Sequence, residues 1–199
     1  MVLVMSCYDI LKKGETAVDF SLKGVDGETY SLASFEKAKV ILVLFMCNHC
    51  PYVIPKMDYF VELQKKYDGL QILAINSNDP TTYPEDNLEG MKKTAKEKGF
   101  TFPYLVDADQ SVAKKYGAMC TPDPYLFNKK RELVYHGRLD DVHKMSHENA
   151  KTSELKDAIK EVLAEKEVTV PTFPSMGCSI KWKNGNEPEY FLKVLKEKK

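Results

Sequence analysis

The chain is short of several things, and each shortage excludes a class of function. Charge of one sign is not in excess, with 29 Lys and Arg against 29 Asp and Glu. A neutral balance argues against a nucleic-acid or membrane-surface role driven by bulk charge. Long apolar runs are missing too: the longest, Val40 to Met46, falls far below the ~20 residues of a membrane-spanning helix. The start, Met1 to Cys7, has only a few apolar residues and no Lys or Arg. That is less than the roughly 7 apolar residues of a signal h-region, so the expected compartment is the cytosol. Cysteines number five, Cys7, Cys47, Cys50, Cys120 and Cys178. An odd, sparse set in a chain without a signal is no disulfide framework. Its members are expected to be catalytic, metal-binding or merely buried thiols.

What is present suits a packed domain. Hydrophobic residues make up 43% of 199, and Gly and Pro stand at ten each, so wholesale disorder is excluded. Ala17–Leu22 alternates, Gly24 to Gly27 turns, and Thr29–Leu32 follows, which predicts a hairpin. Val40–Met46 is apolar on both faces, as a central strand covered by helices should be. From Pro51 to Tyr67 the apolar positions follow a helical period, with Pro55 expected to kink the helix. Leu70–Ile75 reads as a second buried strand. The stretch Asn76–Asn87 is a long loop of the kind that often carries function. A helix near Leu88–Lys98, a strand at Tyr104–Val106 and a helix around Ser111–Tyr116 come next. Tyr125–Phe127 and Leu133–His136 predict a hairpin, and Ser153 caps a helix to about Glu165. Strands alternating with helices give an α/β fold with a central mixed sheet. We divide the chain into residues 1–167, the domain with its N-terminal hairpin, and 168–199, an extension expected to pack on it. The tail contains Ile180, Trp182, Tyr190, Phe191 and Leu192 and is too apolar to be free. The basic cluster Lys196–Lys199 reads as a solvated face.

Cys47-Asn48-His49-Cys50 follows the central strand directly. Two thiols at this spacing can close a small disulfide ring. A helix start offers unsatisfied N–H groups and partial positive charge that favour a thiolate. Cys47 is then the expected nucleophile and Cys50 the resolving thiol. His49 is expected to push Cys47 toward a low pKa. Two plainer readings compete. In one, Cys-x2-Cys joins His143 and His147 in a zinc site, but their distance in sequence far exceeds the ~12–15 residues of a finger. In the other, both thiols are inert and buried.

These residues resemble the thioredoxin-like superfamily, specifically the redoxin branch grouped with alkyl hydroperoxide reductase and thiol-specific antioxidant proteins. The resemblance rests on Gly14–Leu22 with Asp26–Leu32, on the CxxC, on Pro55 in the helix after it, and on Thr121-Pro122 ahead of Phe127. It covers residues 14–165. It implies a thioredoxin-like fold and a thiol–disulfide oxidoreductase. It also implies a cis bond before Pro122, with the Thr121 backbone holding an extended segment of a protein client beside the nucleophilic sulfur. The implied partners are protein disulfide clients and a recycling reductase; no metal or other cofactor is implied. Met46, Tyr52 and Tyr125 are expected to form an apolar rim around the client.

There are departures. No carboxylate lies within Val40–Met46, where thioredoxin carries a buried Asp that assists proton transfer. A peroxiredoxin-like thiol peroxidase, with Cys50 peroxidatic, is the alternative. That reading needs a Pro where this chain has Val43, and an Arg on the peroxide although no Arg precedes Arg131. Non-catalytic binding is a second alternative. Cys120 is expected on the rim near the CxxC as an auxiliary thiol. Cys178 is expected to be buried against the domain, and Cys7 has no assigned role.

Overall fold

A computed structural model describes residues 2–197; Met1, Lys198 and Lys199, and with them the end of the basic cluster, lie outside the described residues. In chain order the strands and helices are β1 (Leu3–Met5), β2 (Leu22–Gly24), β3 (Thr29–Tyr30), β4 (Val40–Phe45), α1 (Met57–Lys66), β5 (Leu70–Asn76), α2 (Leu88–Lys98), β6 (Tyr104–Val106) and α3 (Ser111–Tyr116). They continue with β7 (Cys120–Thr121), β8 (Asp123–Phe127), β9 (Leu133–His136), α4 (Glu154–Leu163), β10 (Met176–Ser179) and α5 (Glu189–Glu197).

Seven strands form one sheet in the order β3-β2-β6-β5-β4-β8-β9. β4 pairs parallel with β5 and antiparallel with β8. Every side chain of β4 is buried, and the two faces feed different layers. Val40, Leu42 and Leu44 pack into one cluster with Phe60, Leu155 and the cysteines Cys47, Cys50 and Cys178. Ile41, Val43 and Phe45 pack into the other with Tyr116, Tyr125, Ile180, Trp182 and Phe191. A central strand with helices on both faces is thus the form that the apolar run required. The sheet is mixed and the fold thioredoxin-like.

Two local expectations are corrected. The N-terminal hairpin is shorter than Ala17–Leu32. Asp19 Oδ1 accepts the N–H groups of Phe20 and Leu32 at 2.9 and 3.0 Å, which takes this segment out of a ladder before Leu22. Nor does an α-helix begin at Pro51. The chain turns through Pro51–Val53 and passes a 3-10 stretch at Ile54–Lys56 before α1 opens at Met57. Pro55 lacks the N–H that a continuous α-helix would use there.

A second, three-stranded sheet has the order β1-β10-β7. The strand near the C-terminus is therefore the central one, flanked by the N-terminal strand and by the residues just before Pro122. No described helix is long and apolar enough to cross a membrane.

Candidate active site

The CxxC stands at the C-terminal end of β4, where parallel pairing with β5 ends at Phe45 opposite Ile75. Its two middle residues are clamped by the long loop that precedes α2. Asp86 Oδ1 accepts the Asn48 backbone N–H at 2.7 Å, and the Asn48 side chain donates to Glu85 O at 2.6 Å. Tyr104 OH donates to Asn48 Oδ1 at 3.0 Å. Asp86 Oδ2 hydrogen-bonds His49 Nδ1 at 2.6 Å and accepts from the Asn78 amide at 2.7 Å. The His49 ring stacks on Tyr83 with centroids 3.8 Å apart and planes 2° from parallel. His49 Nε2 is buried without a hydrogen-bond partner.

Thr121 is brought to both sulfurs, and the Thr121–Pro122 bond is cis. Cys47 Sγ lies 3.5 Å from Thr121 Oγ1, and Cys50 Sγ lies 3.2 Å from the Thr121 carbonyl. Cys47, Cys50 and Thr121 are thus one cluster. The expected client edge, however, is taken. β10 pairs antiparallel with β7, placing Cys178 opposite Thr121 and Ser179 opposite Cys120. Beyond that pair, Ile180 N donates to Met119 O at 3.0 Å, and Ser175 Oγ donates to Pro122 O at 2.7 Å. An extended segment does lie along Thr121, and it is the chain's own.

The thiol electrostatics correct a second expectation. Cys47 and Cys50 are both 0% exposed. Burial pushes the Cys47 thiol well up, and its interaction with the Cys50 side chain and the Asp86 charge push it further. Cys50 moves the other way, held far below the usual thiol range by hydrogen bonds from the Cys178 and Cys47 thiols and from the Tyr52 N–H. Cys178 is pushed up because it donates to Cys50. The Thr121 carbonyl can take a proton from Cys50 only while Cys50 is a thiol, and several donors oppose that single acceptor. The turn donor therefore serves the second cysteine, not the first, because it is the Tyr52 N–H that reaches the Cys50 thiol. His49, turned onto Asp86 and Tyr83, does not lower the Cys47 pKa.

The remaining residues separate. Cys120 is fully buried in the opposite core layer, its thiol pushed up by burial and by the Asp123 charge. It is not on a rim, because β7 is paired along its edge with β10. Met46 and Tyr125 are also fully buried, and Tyr52 is 8% exposed, so the expected apolar rim does not form. His147 is bound to Asp140 at 2.7 Å. It joins no cysteine. Among the described residues, the ligand atoms of Cys47, His49 and Asp86 lie within 4.8 Å of one another. That is one ligand fewer than a structural zinc site uses, and the Asp86 oxygens are already engaged. Asp86 and Cys178 are the site residues that the sequence reading missed. The long loop carrying Asp86 was a signal; for Cys178 only the small, proline-flanked tail segment was.

Residues 13–136 match the profile of the AhpC/TSA family. The chain is similar to the thioredoxin-like protein YneN of Bacillus subtilis strain 168, 31% identical over 136 residues, covering 67% of this chain and 72% of that one. It is also similar to the thiol-disulfide oxidoreductase ResA of Halalkalibacterium halodurans, 28% identical over 127 residues, covering 63% and 68%. Among solved structures, an uncharacterized conserved protein of Geobacillus kaustophilus superposes with a TM-score of 0.84 at 39% identity, over 92% of this chain and 97% of that one.

Proposed function

This chain belongs to the AhpC/TSA family and is a thiol oxidoreductase, and from that premise we propose that Cys47 and Cys50 act as a dithiol that exchanges with disulfides of protein clients. One observation carries this reading: both CxxC sulfurs contact Thr121, beside a cis Pro122.

The opposite thiol shifts support an order of proton movements. Cys50 is the more acidic thiol, and Cys47, raised by burial, keeps its proton. Transfer of that proton to Cys50 makes Cys47 the thiolate. Cys47 then attacks one sulfur of a client disulfide, and the other client sulfur leaves with the electron pair and takes up a proton. Cys50, again deprotonated, attacks Cys47 Sγ. The mixed disulfide breaks, a Cys47–Cys50 disulfide forms and the second client thiol departs. The client is reduced and the CxxC oxidised, to be returned by a dithiol reductase.

The burial of Cys50 among several hydrogen-bonding neighbours also favours a peroxide-reducing use of that sulfur. Against it stand the positions of both arginines. Arg131 donates to the carbonyls of Ala38 and Phe35, and Arg138 is paired with Glu154. Neither is placed to hold a peroxide on Cys50.

Insulin reduction and peroxide consumption by the purified protein separate the two readings. Dithiol exchange expects insulin turnover that Cys47→Ser and Cys50→Ser each abolish, with Cys50→Ser trapping clients through Cys47. Peroxide turnover that survives Cys47→Ser would replace this reading with the peroxidase one.

A further inference from the structure

The tail strand is built into the site rather than laid over it. β10 has β1 on its other side, with Leu3 opposite Cys178, Val4 opposite Gly177 and Met5 opposite Met176. A Cβ at Gly177 would overlap the Thr121 carbonyl oxygen, so glycine is what lets the strand come this close to the residue beside both sulfurs. Beyond the strand the tail stays strapped down. Lys181 N donates to Asn78 Oδ1 at 2.9 Å, and Asp79 N donates to Lys181 O at 2.7 Å. Trp182 and Phe191 are buried in the core layer behind. This register sets Cys178 opposite Thr121, whose carbonyl lies 3.2 Å from Cys50 Sγ, and buries it in one cluster with Cys50 and Cys47. Cys50 thus has both Cys47 and Cys178 as interacting thiol neighbours, and the segment that carries Cys178 occupies the edge where a client strand would pair.

We propose that Met176–Ser179 is a tethered occupant of the client edge and that Cys178 is a third redox thiol, exchanging with the Cys47–Cys50 disulfide to form a Cys50–Cys178 disulfide. The inference rests on the dithiol reading of the CxxC. The Cys178 thiolate attacks Cys50 Sγ. The Cys50–Cys178 bond forms as the Cys47–Cys50 bond breaks, the electron pair leaves on Cys47, and Cys47 takes up the proton that Cys178 gave. One disulfide replaces another, so no outside oxidant or reductant is consumed. In this isomer the tail is locked across the site and Cys47 is a thiol. A client must displace the strand to reach the sulfurs.

The test is a disulfide map of the full chain after oxidation with glutathione disulfide over a range of glutathione ratios, acid-quenched, alkylated and digested without reduction. Expected are two isomers, Cys47–Cys50 and Cys50–Cys178, the second enriched at least tenfold over the same oxidation in urea. Finding Cys47–Cys50 alone at every ratio, with Cys178 fully alkylated, overturns the inference and leaves the dithiol reading intact. Finding no Cys47–Cys50 disulfide under any condition overturns the dithiol reading itself. Gly177→Val gives a second measurement, since its side chain must push β10 off Thr121. We expect native-state alkylation of Cys47 and Cys50 to quicken at least tenfold, with emission from Trp182, the single tryptophan, reporting that the tail has moved. Unchanged alkylation in a variant whose Trp182 emission has shifted would show that the tail does not guard the thiols. Should Gly177→Val fail to fold, the wild-type map alone decides.

Discussion

Asp86 and His49 meet through a 2.6 Å hydrogen bond, and the same carboxylate takes the backbone N–H of Asn48. A loop distant in sequence thereby fixes the two residues between the cysteines. It also sets a negative charge beside Cys47, one of the causes that raise its pKa. Asp86→Asn keeps an acceptor and removes the charge. The Cys47 titration, followed by its pH-dependent alkylation, should therefore move to lower pH. Hydrogen bonds to a charged group contribute about 1.5–3 kcal/mol each, so a stability loss of roughly that size should accompany the change in urea unfolding. A Cys47 titration that stays in place would remove Asp86 from the electrostatics of Cys47.

Cys50 is the thiol whose pKa is lowered. Reduced protein at pH near 5 should therefore still show one thiolate by absorbance, far below the ordinary thiol value of 9.0. Cys50→Ser should abolish that signal. Cys178→Ala, which removes the main donor to Cys50, should shift its titration to higher pH. A thiolate that survives Cys50→Ser would put the charge on another sulfur.

Stability should follow the same ordering. Between the lowered folded pKa of Cys50 and the ordinary 9.0, the unfolded chain holds a proton on this thiol that the folded one has released. Folding stability of the reduced form therefore rises with pH through that window. Above about 9 the sign reverses, because Cys47 and Cys178, both pushed up, keep protons that the unfolded chain loses. The Cys47–Cys50 oxidised form lacks the Cys50 contribution. Urea midpoints of the two forms should diverge toward pH 9 in favour of the reduced one. Parallel midpoints across the range would contradict the assignment.

A buried ion pair joins the 3-10 stretch ahead of α1 to the segment after β9. Lys56 Nζ and Asp140 Oδ2 are 2.5 Å apart with both side chains at most 2% exposed, and Asp140 also binds His147. Asp140→Ala leaves the lysine charge without its partner and should cost about 3–5 kcal/mol. Lys56→Met with Asp140→Asn together should cost much less, since no charge is then stranded. Equal losses in the single and double variants would show that the pair acts through packing alone.

Much of the frame is decided by local chemistry. The apolar run of β4 fits only a strand covered on both faces. The period of Leu88–Lys98 and the Gly99 that ends it in a left-handed conformation mark α2 without tertiary help. The CxxC after β4, and the pairing of Asp123–Phe127 with Leu133–His136 across a short turn, follow from residues close in the chain. The helix start behind the CxxC was misplaced because one proline, Pro55, holds the first turns in 3-10 form. What the amino-acid order could not determine is which distant segments meet. Asp86 reaches the Asn48 N–H only because the loop after β5 folds back over the end of β4. Cys120 is buried rather than on a rim, and Thr121 is already paired, because β10 inserts between β1 and β7. The direction of the thiol shifts follows from that insertion. Burial raises any thiol, and whichever sulfur accepts hydrogen bonds from its neighbours is lowered. The CxxC spacing would allow either Cys47 or Cys50 to be that sulfur, and the strand bringing Cys178 to Cys50 decides between them.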